Sequence, residues 1–224
     1  VEYVHVHYTL GFKVERTMLE DMQYDAIFDR AESLGQAFAR KRVRDEASVF
    51  NNAFSSSALG YDSKALVATD HPRSSTDSTA VDNSMGTVAL TDSNLEAAII
   101  KLEELGDDRG QETNAMATHL VVGRQNRKKG VELTGSPLTP ETANNAINVH
   151  SGLQLVVHPM ISGKKWFVID ANWARRTLKW FERVPVEFHS NDDMTGTLMR
   201  SYAGRMRYSF GWSDFRWVVG SNAS

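Results

Sequence analysis

Residues 17–50 read TMLEDMQYDAIFDRAESLGQAFARKRVRDEASVF, and this stretch decides the fold. Charged side chains cover most of its surface, and apolar side chains recur at helical spacing: Tyr24, Ile27, Ala31, Leu34 and Phe38. Thr17 and Glu20 have the spacing of a capping box, which predicts that the helix begins at Thr17. At 1.5 Å per residue such a helix is about 50 Å long. It would therefore extend beyond the width of a small compact domain.

The segments on either side of this helix have patterns of their own. Residues 3–9 alternate bulky apolar or aromatic groups with histidine, which predicts a strand that ends at Gly11. Asn51 and the serines at 55–57 predict the end of the helix, because Asn and Ser side chains compete for backbone hydrogen bonds. The strand pattern is already under way at Val1, so we expect a processed chain or a fragment of a longer one.

The middle of the chain is predicted to form a loop and a second helix. Residues 70–87 contain few large apolar side chains, which favours a long surface loop. The second helix is predicted to begin near Thr91 or Ser93, where Ser93 and Glu96 have capping-box spacing, and to be closed by Gly106. An Asp-Asp-Arg-Gly turn is predicted to follow at 107–110.

The second half of the chain is predicted to consist mainly of strands. Three buried strands are predicted, at 119–123, 153–157 and 166–169. Residues 163–165 are predicted to lie in a hairpin, Thr139-Pro140 predicts a helix near 140–147, and the tail at 184–219 predicts several short strands. All five tryptophans are expected to pack in the core or on a sheet: Trp166, Trp173, Trp180, Trp212 and Trp217. A very long helix with scattered strands and no regular βαβ repeat predicts an α+β fold.

Composition excludes several classes of function. The 224 residues are 41% hydrophobic and 24% charged, which is typical of a globular protein and excludes a disordered chain. They include no cysteine, so disulfides, thiolate zinc sites and cysteine nucleophiles are excluded. The net charge is -3, which gives no global attraction to nucleic acid. There is no apolar run of about 18 residues and no basic-then-apolar leader.

Motifs for catalysis are lacking in the sequence. Neither a phosphate-binding glycine loop nor a G-x-S-x-G elbow occurs. His5 and His7 would share one face of a strand and could bind zinc or copper, but no third ligand is evident. The other histidines are predicted to be hydrogen-bonded residues of the surface or core: His71, His119, His150, His158 and His189. Two aspartate pairs, Asp107/Asp108 and Asp192/Asp193, fit acid/base work or a divalent cation but are more typical of turns. The sequence therefore predicts no catalytic, cofactor-binding or metal-binding residue.

Basic side chains form three clusters along the chain. The first lies near the end of the long helix, where it would oppose the negative end of the helix dipole: Arg40, Lys41, Arg42 and Arg44. The second comprises Arg124, Arg127, Lys128 and Lys129, and the third comprises Arg175, Arg176, Lys179 and Arg183. The last two could pair with acidic faces of another copy, and no module for reading DNA sequence is recognisable.

Ten pieces of the chain, taken in order, resemble the major capsid proteins of tailed bacteriophages, especially the Mu-like major head subunit group. These pieces are Tyr8–Phe12, Met18–Asp21, Tyr24, Val49–Phe54, Asp62–Leu66, Thr69–Pro72, Leu90–Ala97, Asp107–Gly110, His119–Val122 and Trp166–Asp170. The resemblance spans residues 8–212 and depends on their shared order, because no single piece is diagnostic.

The resemblance implies the Hong Kong 97 type of capsid fold, an α+β fold with a long spine helix, a peripheral domain and an axial domain. Carried over, it implies four segments: the end of an extended loop at 1–13, a peripheral domain at 14–90 with its spine helix at 14–50, an axial domain at 91–180, and returning peripheral strands at 181–224. On this resemblance, we expect the family's N-terminal arm and most of its extended loop to have no counterpart in residues 1–224.

The resemblance also implies a function. We expect a major head protein, not an enzyme, whose pentamers and hexamers build an icosahedral or prolate shell around double-stranded DNA. Copies of the chain would be its main partners, with scaffold, protease, portal and decoration proteins during assembly, non-specific contacts to packaged DNA, and no membrane or cofactor. It would reside in the virion, and in the host cytoplasm during assembly. The alternatives are an encapsulin-like shell protein, a hydrolase or metal enzyme using His5/His7 or the aspartate pairs, and a nucleic-acid-binding accessory protein.

Overall fold

A computed structural model describes residues 2–138, 147–193 and 198–223. The described residues form two compact units. The larger unit contains Glu46–Lys179 and residues 211–223, and the smaller unit contains Glu2–Asp45 and Trp180–Phe210. The helix predicted near 140–147 lies outside the described residues except at its last position.

The smaller unit is built on a three-stranded sheet in the order β1-β8-β7. Strand β1 spans Val6–Glu15, β7 spans Leu178–Asp193 and β8 spans Met199–Trp212. The tail was predicted to contain several short strands, and this prediction is wrong because β7 and β8 are long and continuous. Strand β1 pairs antiparallel with β8 over its whole length.

Gly11 lies in the middle of β1, so the prediction that the strand ends there is wrong. A Cβ atom at Gly11 would lie 2.7 Å from the carbonyl oxygen of Tyr202 on β8. Glycine therefore serves here to let two paired backbones approach closely, which is a role that a strand interior allows.

Two helices, not one, follow strand β1. Helix α1 is the short segment Arg16–Glu20, and helix α2 spans Tyr24–Asn51, about 42 Å at 1.5 Å per residue. The helix starts predicted at residues 17 and 14 are therefore too early, whereas the predicted end near residue 50 is confirmed. The Thr17 capping box is also wrong, because the Glu20 carboxylate accepts a hydrogen bond from Arg16 Nε at 2.7 Å. The helical conformation is interrupted between α1 and α2 at Met22, whose φ is 54°.

Helix α2 packs on the sheet of the smaller unit through part of the predicted apolar stripe. Leu34 and Phe38 are buried with Met206 and Tyr208 of strand β8. Ile27 is also buried, whereas the remaining stripe residues, Tyr24 and Ala31, are exposed. The stripe is therefore confirmed at three of its five positions.

Two glycines of the smaller unit are expected to respond to alanine in opposite ways. A Cβ atom at Gly204 would lie 2.8 Å from Cζ of Phe38, so we expect Gly204→Ala to reduce the free energy of unfolding by about 1–3 kcal/mol. A Cβ atom added at Gly35, inside helix α2, would have no atom within 4 Å. Gly35→Ala is therefore expected to increase the free energy of unfolding by roughly 0.5–1 kcal/mol. Urea unfolding of the two variants measures both effects. Equal stabilities would contradict the close packing at Gly204.

The larger unit is built on a four-stranded sheet in the order β5-β4-β6-β9. Its strands span β4 His119–Gly123, β5 Gln154–His158, β6 Trp166–Ile169 and β9 Val218–Ser221. The three strands predicted in this region are confirmed. The hairpin predicted at 163–165 is wrong, because β4 lies between β5 and β6, parallel to the first and antiparallel to the second.

Helices cover this sheet and connect its strands. Helix α3 spans Asp92–Glu103, α4 spans Arg127–Gly135 after a 3-10 turn at Arg124–Asn126, and α5 spans Ala171–Thr177. Thr91 caps α3 by accepting a hydrogen bond from the Asn94 backbone N–H, so the predicted start is confirmed but the Ser93/Glu96 capping box is wrong. The helix ends at Glu103, before Gly106.

The core of the larger unit forms where α3 meets the sheet. Leu95, Ala98 and Leu102 of the helix are buried with Trp166 and Val168 of β6. The loop predicted at 70–87 contains two short paired strands, β2 at His71–Pro72 and β3 at Ala80–Val81.

Four of the five tryptophans lie in the core or on a strand, as predicted, whereas Trp173 lies on helix α5. Trp166 and Trp217 are fully buried, and the other three are half-buried: Trp173, Trp180 and Trp212. Among the described residues, no helix is both long enough and apolar enough to cross a membrane.

Candidate functional site

Of the five histidines predicted to be hydrogen-bonded, His71, His119 and His158 form side-chain hydrogen bonds, whereas His150 and His189 approach carboxylates at 3.3 Å and 3.6 Å. Nδ1 of His5 lies 3.0 Å from the hydroxyl oxygen of Ser209. The partners of the other histidines are Asp62 for His71, Thr118 for His119, Asp92 and Glu96 for His150, the Met160 backbone N–H for His158, and Glu187 for His189. In the described parts of the chain, no three His, Cys, Asp or Glu side chains come together as metal ligands would.

Among the described residues, Asp62 and His71 form an enclosed pair of titratable groups. His71 Nδ1 lies 2.6 Å from Asp62 Oδ2, and both side chains are at most 3% exposed. The imidazole stacks on the Phe215 ring at a centroid distance of 3.7 Å. A catalytic acid/base pair has to be accessible to its substrate on at least one side. The His71 side chain, in contrast, is only 1% exposed. The stack of His71 on Phe215 therefore connects the segment after α2 to the segment before β9, and the buried pair does not form an open catalytic site.

Stability at acid pH is expected to depend on Asp62. Burial alone would raise the pKa of this carboxyl, but hydrogen bonds from His71 and the Lys64 backbone N–H outweigh burial and lower the pKa below its ordinary value. The ionised form therefore favours folding, and its contribution, present above the unfolded pKa, disappears as the pH falls through the folded pKa, below about pH 4.

The test is the thermal unfolding midpoint between pH 7 and pH 2. We expect the midpoint of Asp62→Asn to fall less steeply below pH 4 than that of the unaltered chain. Asp70→Asn, at an exposed aspartate that pairs with Lys64, serves as the control and should keep the original slope. Parallel curves for Asp62→Asn and the unaltered chain would contradict the role given to this carboxylate.

Arg216 connects three segments of the larger unit. Its guanidinium donates to Asp108 at 2.8 Å and to the Arg73 backbone carbonyl at 2.5 Å, and it approaches Asp214 at 3.4 Å. The side chain is 6% exposed, so these bonds compensate a nearly buried charge. The sequence did not single out this residue, because two of its partners, Asp108 and the Arg73 carbonyl, lie more than a hundred positions away.

The aspartate pairs lie in structural contacts. Asp107 accepts from the backbone N–H groups of Gln111 and Arg109, which lowers the pKa of its carboxyl and closes the predicted turn. Asp192 pairs with Arg200 at 3.0 Å in the smaller unit. The side chain of Asp193 lies outside the described residues.

Asn83 is a buried contact that the sequence did not indicate. Its Nδ2 donates to the carbonyl oxygens of Leu66 at 2.9 Å and Val218 at 3.1 Å, and it also approaches that of Phe215 at 3.4 Å. Its Oδ1 accepts from the Ala68 backbone N–H at 2.9 Å. One fully buried amide therefore joins the segment after α2 to the edge of the sheet at β9.

The first basic cluster does not act as the sequence suggested. Helix α2 has no basic residue in its last turn, so the helix-dipole explanation is wrong. Lys41 forms an ion pair with Asp45, and Asp45 accepts a hydrogen bond of 2.6 Å from the Tyr208 hydroxyl. Burial first, and the Asp45 carboxylate second, raise the pKa of Tyr208, which therefore remains a proton donor. Arg42 pairs with Glu182 at 3.2 Å.

The smaller unit also carries an open apolar groove of about 430 Å³. Helix α2 contributes Leu34 and Gly35 to it, and the sheet contributes Phe12, Phe188 and Tyr202. The groove contains no group of acidic and nucleophilic side chains, so contact with another apolar surface is its most direct use.

The long helix on a three-stranded sheet and the mixed four-stranded sheet agree with the Hong Kong 97 type of capsid fold that the sequence resemblance implies. Solved structures with this fold include Microbacterium phage Oxtober96, with a TM-score of 0.60 and 13% identity over 99% of this chain and 73% of that one. The capsid of Cyanophage P-SCSP1u has a TM-score of 0.60 and 11% identity over 97% of this chain and 72% of that one. The holo-SrpI encapsulin complex from Synechococcus elongatus has a TM-score of 0.57 and 12% identity over 99% and 75%.

The chain belongs to a family described as phage capsid protein, whose model matches residues 1–221. No curated protein matches it. The resemblance seen in the sequence is therefore confirmed, as are the fold class and the assignment to phage capsids. A protein of this family is a structural component of the virion and assembles with copies of itself.

Proposed function

We propose that this chain is the major head subunit of a tailed phage or prophage and forms the pentamers and hexamers of an icosahedral or prolate shell around double-stranded DNA. The observation that carries the proposal is the match of the capsid family over nearly the whole chain. It is supported by large apolar side chains that are more than 60% exposed on both units: Val4, Met22, Phe28, Met116, Ile147 and Val149. Contacts in a closed shell are heterologous and commonly bury about 2,000 Å² or more, and exposed apolar groups supply such area.

The domain assignment is part of the proposal. Residues 14–90 and 181–224 are assigned to a peripheral domain, 91–180 to an axial domain, and 1–13 to the end of an extended loop. The compact units support the boundary near 180 and favour a first boundary near 45 in place of 90. With that change the smaller unit is the peripheral domain and the larger unit the axial domain.

The proposal includes a purely structural role in the virion, with no catalytic, cofactor-binding or metal-binding residue. Assembly in the host cytoplasm would involve scaffold, protease, portal and decoration proteins. Packaged DNA would be contacted weakly and without sequence preference, because the net charge is -3. Among the described residues, the enclosed Asp62–His71 pair is the nearest approach to an acid/base site, and its burial argues against turnover.

The test is electron microscopy of the particles that the recombinant chain forms in an assembly buffer without added enzymes. Closed shells or sheets containing hexamers are the expected result. A persistently monomeric chain would overturn the proposal. Particles that enclose a co-expressed enzyme but never nucleic acid would favour the encapsulin alternative, for which the structural likeness supports only the fold.

A further inference from the structure

The larger unit presents a stripe of exposed basic side chains at one end of its sheet. This basic stripe comprises Arg124, Arg127, Lys128 and Val131, which follow strand β4 and share one face of the 3-10 turn and helix α4. All four side chains are exposed. Lys128 approaches Glu132 at 3.7 Å, whereas Arg124 and Arg127 have no ion pair in the described parts of the chain.

The position of this stripe is locally unfavourable. Arg127 and Lys128 lie in the first turn of α4, which contains no acidic residue, and the positive end of the helix dipole repels cations. Natural sequences tend to avoid such conflicts except where a site serves a function. A partner of negative charge would remove the conflict.

The smaller unit presents a stripe with the opposite charge. This acidic stripe comprises Asp25, Phe28, Asp29 and Glu32 on the exposed face of helix α2. Carboxylates at i and i+4 repel each other on a helix, and neither Asp25 nor Asp29 has an ion pair among the described residues. Phe28 is 68% exposed between them. A partner of positive charge would relieve this repulsion.

The two stripes match in spacing as well as in charge. Each places its four residues at i, i+3, i+4 and i+7, with three charges and one exposed apolar group. Val131 is 52% exposed, and Val149, on the turn tied to the end of α4 through the Asn148 side chain, is 76% exposed. Exposed apolar groups within a charged surface are more typical of a protein partner than of a nucleic acid, whose interfaces are more polar.

We propose that the basic stripe of one copy binds the acidic stripe of a second copy. This inference rests on the proposed function, because it assigns the charges that hold neighbouring shell subunits together. The contact is heterologous, since each copy uses one stripe as donor and the other as acceptor, and contacts of this type close into rings. Complementary charges also fix the register and exclude wrong pairings.

The test uses charge reversal of each stripe in the full chain. Asp25→Lys with Asp29→Lys, and separately Arg124→Glu with Arg127→Glu, are each expected to raise the concentration needed for association roughly tenfold or more. Arg175→Glu with Arg176→Glu, at exposed positions of α5, is the matched control and should assemble normally. Circular dichroism confirms that each variant is folded.

Mixing the two reversed variants is the decisive measurement. In a pure sample of either variant, two stripes of the same charge face each other at every contact. In an alternating mixture, every contact again joins a positive stripe to a negative one. We expect the mixture to associate, and to favour rings with an even number of copies. Carbodiimide cross-linking of the unaltered chain, mixed with an isotope-labelled copy, should join Lys128 of one copy to Asp25 or Asp29 of another.

The outcomes separate this inference from the proposed function. If the unaltered chain assembles and the reversed variants assemble equally well, the inference is wrong and the proposed function stands. If basic-stripe reversal abolishes retention of DNA by particles but leaves assembly unchanged, the stripe serves nucleic acid and the inference is also wrong. If the unaltered chain never associates, the proposed function and the inference both fail. Cross-links found only within one copy likewise overturn the inference.

Discussion

Phe38→Asp is expected to unfold the smaller unit. The Phe38 ring is 3% exposed, fits against Gly204 and meets the Phe188 ring edge-on at 5.9 Å. Loss of a buried phenylalanine alone costs about 3–5 kcal/mol, and the introduced carboxylate adds the cost of burying a charge that has no partner. Small domains have only about 5–15 kcal/mol of stability in total, so the loss removes most of it. Leu34→Asp should act in the same direction.

Near-ultraviolet circular dichroism and limited proteolysis measure this effect. The matched control is Phe28→Asp, ten positions earlier in the same helix, where the ring is 68% exposed. We expect that variant to keep its folded spectrum, because no core packing is lost. If Phe38→Asp is as stable as Phe28→Asp, the assignment of the buried face of helix α2 is wrong.

Asn83→Ala is expected to destabilise the larger unit by about 2–4 kcal/mol. The amide is fully buried, and its removal leaves the Ala68 backbone N–H and the carbonyl oxygens of Leu66 and Val218 without this partner. Because the site is fully buried, the cost includes desolvation of each backbone group that loses its partner.

Asn83→Asp tests the same contact, because it introduces a charge while the volume of the side chain stays nearly constant. A carboxylate oxygen in place of Nδ2 would face carbonyl oxygens, so this variant should be less stable than Asn83→Ala and should lose further stability as the pH rises and the group ionises. Urea unfolding at pH 5 and pH 8 measures the difference. Asn172→Ala, at an exposed asparagine, is the control and should change stability by less than about 0.5 kcal/mol. A small effect at Asn83 would show that its hydrogen bonds are dispensable.

Elements with strong local patterns could be predicted from the sequence. The end of helix α2, the start of helix α3 and the strands β4, β5 and β6 agree with prediction because each depends on neighbouring residues. The break at Met22 was missed because the apolar and charged pattern continues across it. The two capping boxes were wrong because Glu20 pairs with Arg16 and because Thr91, not Ser93, caps helix α3.

The candidate sites depend on contacts that no local pattern reports. Asp62 and His71, Arg216 and Asp108, and Tyr208 and Asp45 are joined across loops or strands. The basic cluster that contains Arg124 and Arg127 was visible in the sequence, but the exposure of these side chains and their lack of an ion pair among the described residues were not. The hairpin prediction failed for the same reason, since β4 enters between two strands that follow it in the chain.

The sequence by itself determined the long helix, the main buried strands, the absence of cysteine chemistry and, through the order of its short pieces, the capsid family. These properties follow from nearest neighbours along the chain, where hydrophobic periodicity and turn chemistry act. Only the tertiary structure decided the strand order, the need for glycine at positions 11 and 204, and which charges are neutralised within the chain. These three features depend on groups that are distant in sequence. The burial of apolar surface brings such groups together, because the hydrophobic effect is non-directional and does not depend on separation along the chain.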